Sequence, residues 1–349
     1  MRPRYKLNRV KIAFRFVVGL ITSIFILSVS VVLYAGGFNS HKGRFWKGDS
    51  PSCGDTITTE ASLFTDLDCS GYSGGAAITL QEGATLKMNG KKLIGNSGIN
   101  CIEIRGDGAK IWGGTVTQCD YGIRVRSNGN SISSINVSES NGVGIRIDGN
   151  ENRITSVNVS ESKDNGIRIN GDGNRITSAK VSGSDDRGIR IDGNDNLAQW
   201  STVTHSHTQG IKINGGSRNM IYANAVYDSC RDGIEIEEGN DNKLYYNRVE
   251  DNGNPDTCAD FMEDYKPWYY AGIDVLAGSE NNEIKDNRAG CNSGCVGTDD
   301  LPCSARERDF WDENVDQAGN SVSTNRWVNN RIKCEDAQPE YSPNPEPND

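Results

Sequence analysis

The 349-residue sequence predicts an all-β solenoid behind an N-terminal membrane helix. Three observations predict it: a turn-rich composition, a 22-residue repeat, and one uncharged apolar run near the start. With 40 Gly and 36 Asn, more than a fifth of the chain favours turns at the expense of helices. Only 35% of residues are hydrophobic, and Val and Ile far outnumber Leu, which suits many short buried strands better than a helical bundle.

In chain order, residues 1–15 form a basic tail carrying Arg2, Arg4, Lys6, Arg9, Lys11 and Arg15 and no acid. Because the whole chain is −10 and this tail is +6, the remainder is −16, which argues against nucleic acid as a partner. Residues 16–35 then run 20 residues without a charge, long enough as a helix to cross a bilayer. Bulky Leu33 stands where signal cleavage wants a small residue, so an uncleaved signal-anchor is expected, with secretion after cleavage as the alternative. The charge asymmetry puts the N-terminus in the cytoplasm and everything past residue 36 outside or in a lumen. This is a single-pass, type II topology in a Golgi-like or cell-surface compartment, with residues 36–52 as a stem.

All ten cysteines follow the apolar run, and their even number fits disulfides in an oxidising compartment. Cys291, Cys295 and Cys303 lack the second CxxC or nearby His that zinc would need, so no metal is expected. No cofactor is expected either, and calcium has no supporting motif. The sequons at Asn136 and Asn158 agree with a secretory route and a glycoprotein.

From residue 53 to 334 the repeat dominates. Gly-Ile-x-(Ile/Val) begins at Gly122, Gly144, Gly166, Gly188, Gly210, Gly233 and Gly272. In the same register an Asn recurs at 130, 152, 174, 196, 219, 242 and 282, and a Val at 137, 159, 181, 203, 226 and 249. Each unit therefore holds three short runs of period-two alternation, too short for stable helices, and predicts three strands per coil of 22–23 residues. A unit this small cannot bury its apolar face alone, so Ile145, Ile167 and Ile189 must stack into a continuous core. The Asn column predicts an internal amide ladder at a left-handed turn, continuing at Asn320.

These columns, with the opening Cys53-Gly-Asp-Thr-Ile-Thr58 and Ala84-Thr-Leu-Lys-Met-Asn-Gly90, resemble the right-handed parallel β-helix family of pectate lyases, polygalacturonases and alginate epimerases. The resemblance implies a single-stranded β-helix and, if the chain is an enzyme, uronate C-5 epimerase or lyase chemistry. Alginate epimerases carry Tyr-Gly-(Phe/Ile)-Asp-Pro-His. Here Tyr121-Gly-Ile-Arg-Val-Arg126 lacks the Asp and His, and Tyr270-Ala-Gly-Ile-Asp-Val275 keeps Asp274 but not Pro-His.

Between the inward Ile pairs, one residue per coil faces out: Arg124, Arg146, Arg168, Arg190, Lys212, Glu235 and Asp274. At a coil spacing of ~4.8 Å, five stacked cations repel one another. Either the next outward column (Arg126, Asp148, Asn170, Asp192, Asn214, Glu237) neutralises them, or an acidic polysaccharide lies along them. The sign changes between Lys212 and Glu235, just before an insertion at about 253–271. That insertion carries Trp268, Tyr269 and Tyr270, which either seat sugar rings or cap a gap in the coil pinned by Cys258 to Cys230.

Any active centre is therefore expected at the sign change. Asp274 and Glu235 are its proton-transfer carboxylates, His207, Tyr227 and Tyr270 its further acid–base candidates, and Lys212 or Arg190 the cation for a substrate carboxylate. Glu235, Glu237 and Asp274 also suit glycoside hydrolysis, which uses paired carboxylates. The rival expectation is a non-catalytic structural or adhesive solenoid that binds carbohydrate. Residues 290–334, with Phe310, Trp311 and Trp327, are expected to cap the core, and the acidic, Pro-rich 335–349 to be disordered.

Overall fold

A computed structural model describes residues 50–253, 258, 270–290, 292, 309–314 and 324–332. The expected membrane helix, most of the insertion, Trp268, Tyr269, Asn320 and the C-terminal tail lie outside these residues. Among the described residues no helix is long and apolar enough to cross a membrane.

The chain winds into a solenoid in which every ladder is parallel. The first strand of each coil joins an 11-stranded front sheet running from Asp55–Ile57 to Phe310–Asp312. Second and third strands stack into two further ladders, merged where Lys110–Thr117 and Ser131–Ser138 continue around the corner between them. Register follows the repeat as expected: Ile145 pairs with Ile167, and Ile167 with Ile189, with the arginines between them aligned.

Alternation explains the core. Ile123, Ile145, Ile167, Ile189, Ile211, Ile234 and Ile273 are all fully buried, as are Ile154, Ile176 and Ile221 from the second strands. Each such side chain contributes roughly 1.5–3 kcal/mol by leaving water, which is why short strands with little intrinsic preference hold together. The recurring glycine is steric in origin. A Cβ at Gly166 would stand 2.3 Å from Val181 Cγ1 and 2.8 Å from the Gly188 carbonyl oxygen, and the same collision recurs in coil after coil.

The coils turn at three corners, and the described corners hold residues in left-handed backbone, as in Glu151, Ser156 and Glu161. The expected asparagines are not themselves those residues; they come immediately after them. Asn130, Asn152, Asn174 and Asn196 form the expected ladder, each donating its backbone N–H and side-chain amide to the Oδ1 of the Asn one coil on, up to Asn196. The ladder runs on through Asn219, Asn242 and Asn282 to Asn325. A second ladder of Asn224, Asn247, Asn287 and Asn330 occupies the next corner.

Disulfides join Cys53 to Cys69, Cys101 to Cys119, and Cys230 to Cys258, the last as anticipated at the start of the insertion. The segment expected only to cap the core builds a further coil. Phe310–Asp312 pairs with Ile273–Val275, Trp327 extends the second-strand ladder, and the Phe310 and Trp327 rings meet edge to face at 5.8 Å.

Candidate functional site

The outward column of the front sheet is aligned as the repeat requires, from Glu103 through Arg124, Arg146, Arg168, Arg190, Lys212, Glu235 and Asp274 to Trp311. Its basic part is substantially neutralised by the neighbouring column. Arg124 and Arg146 share Asp148, at 3.4 and 2.8 Å, and Arg168 and Arg190 share Asp192, at 3.0 and 2.7 Å. Tyr121 lies beneath two of them, its ring 5.0 Å from Arg124 and 5.9 Å from Arg146. Four arginines against two aspartates leave the strip cationic.

At the sign change the expected exposure fails. Lys212, Glu235 and Asp274 face out of the sheet yet are only 6, 5 and 3% exposed. Lys212 and Glu235, opposite charges on adjacent strands ~4.8 Å apart, pack on one another, and Gln209 from the preceding turn packs on Glu235. Lys212 Nζ forms ion pairs with Glu235 Oε1 at 2.6 Å and with Glu237 Oε2 at 2.5 Å. Gln209 Nε2 donates to Glu235 Oε2 at 2.6 Å, so both oxygens of Glu235 are held.

Beside them lies a carboxylate absent from the outward columns read in the sequence. Asp232 is 3% exposed and accepts the backbone N–H of Ala271 at 2.6 Å. Burial first, and then the charges of Asp274 and Glu235, push its carboxyl well above the usual carboxylate range, and a hydrogen bond with Glu235 adds to the effect. Asp232 follows Gln209 in the column one residue before the repeat glycine. Extending the column reading one step N-terminal from Gly233 would have found both residues. One position earlier, Arg231 stands 5.9 Å from the ring of Tyr270, whose hydroxyl pKa is raised by burial and pulled back by Arg231.

The structure thus gathers Glu235, Asp274 and Lys212, and sets Tyr270 and Arg231 beside them. Two other expected residues have partners of their own. Tyr227 belongs to the third-strand face, where its ring lies 5.6 Å from the Arg248 guanidinium, and Arg248 and Arg288 share Glu250. His207 lies in the turn before its front strand with Nδ1 3.5 Å from Asp185 of the preceding coil. Coil register fixes height along the solenoid but not the face, which is why Tyr227 stands apart from the front sheet, whereas His207 shares its turn with Gln209. Among the described residues no group of His, Cys, Asp and Glu is arranged to hold a metal ion.

Residues 143–302 match the family described as the right handed beta helix region. The described coils form a right-handed parallel β-helix. No curated protein sequence matches it. Among solved structures, the β-helix is similar to a tailspike protein of E. coli bacteriophage HK620 in complex with a pentasaccharide (TM-score 0.55, 12% identity, covering 80% of this chain and 56% of that one). It is also similar to the periplasmic alginate epimerase AlgG (0.51, 11%, 80% and 76%) and to the Dettilon tailspike protein (0.52, 15%, 74% and 61%). The β-helix spans 61% of the Dettilon tailspike, and at these identities the likeness is one of fold.

Proposed function

We propose that this β-helix acts on a carbohydrate polymer laid along its front sheet, cleaving a glycosidic bond with the carboxyl groups of Asp232 and Asp274. The observation that carries this is Asp232, a buried carboxyl whose proton is favoured by burial and by two neighbouring carboxylates. Glycoside hydrolysis needs one such acid beside an ionised partner. Asp232 would protonate the glycosidic oxygen as the bond from C1 to that oxygen breaks. Asp274 would take a proton from the water whose oxygen attaches to C1. Glu235, held at both oxygens by Lys212 and Gln209, acts as a positioning residue that favours the proton on Asp232. The cationic strip from Arg124 to Arg190 makes an acidic polysaccharide the best-fitting polymer, and anchoring by residues 16–35 in a secretory compartment belongs to the same proposal.

A second reading, uronate C-5 epimerisation or elimination, is supported by Arg231 against Tyr270, a cation and a proton-transfer group at the edge of the same cluster. One experiment separates the two. Purified protein is incubated in deuterated water with polymannuronate, polyguluronate and polygalacturonate, and products are scored for new reducing ends, unsaturated ends and deuterium at C-5. New reducing ends alone are expected. Deuterium at C-5 or unsaturation would favour the second reading, and no change in any polymer would leave a non-catalytic carbohydrate scaffold.

A further inference from the structure

On the edge of the solenoid away from the front sheet, the corner between second and third strands repeats one backbone position in left-handed conformation. Ser134, Ser156, Ser178, Ala223, Asp286 and Asn329 fill it with small or polar side chains. Trp200 and Tyr246 break that pattern, with φ of 51° and 58°. Bulky side chains are disfavoured in this region, and these two gain little burial in return, being 42 and 52% exposed. Tyr222, from the second strand of the intervening coil, meets both edge to face, at 6.4 Å from Trp200 and 5.6 Å from Tyr246. Tyr245 follows Tyr222 in register and donates its hydroxyl to Glu283 at 2.5 Å, while Gln199 precedes Tyr222 with its amide on Thr177.

We infer that Trp200, Tyr222 and Tyr246 form a second carbohydrate-binding platform, remote from the carboxylate site, that stacks pyranose rings of the polymer. Aromatic faces bordered by hydrogen-bonding groups match a pyranose, which has apolar C–H faces and a hydroxyl rim. Lys243 and Lys285 stand beside Glu283 and Asp286, so the border favours neither charge sign. Trp200 and Tyr246 are two coils apart, ~9.6 Å, about the length of a disaccharide. Three part-exposed rings offer a few hundred Å² at most, well short of the ~800 Å² per partner of a stable protein interface. The inference rests on the carbohydrate reading above and extends it to a tether that raises the local concentration of chain ends at the front sheet.

The test is affinity electrophoresis of the full protein through gels containing galactomannan, hydroxyethyl cellulose, polymannuronate or polygalacturonate. Trp200→Ser/Tyr246→Ser is the variant, because serine is the residue that three other coils carry at this corner. Retardation of wild type and Asp232→Asn by at least one polymer, reduced at least tenfold in apparent affinity in the double-serine variant, is expected. Equal retardation of the double-serine variant and wild type would overturn the platform even where bond cleavage is found. No retardation of wild type by any of the four would overturn it too, as would a concentration-dependent dimer that the serine variant abolishes. Platform-dependent retardation without any cleavage would overturn the catalytic reading and leave the platform standing.

Discussion

Asp232 is where burial, like charge and hydrogen bonding converge on one proton. Replacing it with Asn keeps the shape and the acceptor for the Ala271 N–H but removes the acid, so turnover should fall by about 100-fold or more. In wild type the same proton should appear in stability. A carboxyl with a raised pKa in the folded state holds a proton that the unfolded chain releases. Its contribution is complete below the ordinary value of 3.8 and is lost as pH rises through the raised folded value. Melting temperatures of wild type across pH 4 to 9 should therefore decline relative to Asp232→Asn. Parallel curves would show that the proton is not taken up on folding. The acid-dependent limb of the activity profile should vanish in the same variant. Glu235→Gln should act mainly through a shift in that limb, since it loses a charge beside Asp232 but no proton donor.

Elements here are defined by columns, and the asparagine ladders give the columns their strongest test. Removing the amide of Asn174 strips the acceptor from both the backbone N–H and the side-chain amide of buried Asn152. Asn174→Ala should cost about 2–6 kcal/mol in chemical denaturation, at ~1–3 kcal/mol for each donor left unpaired. Ile167→Asp should abolish the β-type circular dichroism spectrum, because an unpaired charge would enter the core. Arg168→Ala next to it should cost under ~1 kcal/mol, as its pairing with Asp192 is partly solvated. The architecture could be read from sequence because the period-two alternation and the 22-residue period agree in every coil. The site could be read only in part. Glu235 and Asp274 interrupt a column of arginines and so announce themselves. Asp232 and Gln209 sit in a turn where the preceding coils carry Tyr121, Val143, Asn165 and Arg187, and no regular pattern is broken there. Tyr227 stands on another face for the opposite reason: height along the axis was known, but the corner between its strand and the front sheet was not counted.

Across the whole molecule, charge is segregated although the net value is −10. The front sheet is cationic from Arg124 to Arg190 and acidic beyond Lys212, so a polyanion should be drawn to one end and reach the carboxylates at the other. Changing Arg146, Arg168 and Arg190 together to Ser should weaken binding to polymannuronate and leave neutral glucans unaffected. Wild-type binding to polymannuronate should fall as salt is raised from 50 to 500 mM, an expected decline well beyond that of the triple variant. Identical salt dependence in the two proteins would return these arginines to a purely structural role with Asp148 and Asp192.

The collision at Gly166, the amide of Asn174 and the buried Ile167 recur in neighbouring coils at one-coil offsets. A coil is consequently interchangeable with its neighbours, and gene duplication or deletion in multiples of 22 codons would keep every column in phase. Excising residues 144–165 would join Val143 to Gly166 with each ladder resealed one rung shorter. The groove could in this way be lengthened or shortened by copy number while the carboxylates stay where they are, so the span of polymer that is gripped and the place where it is attacked can evolve independently.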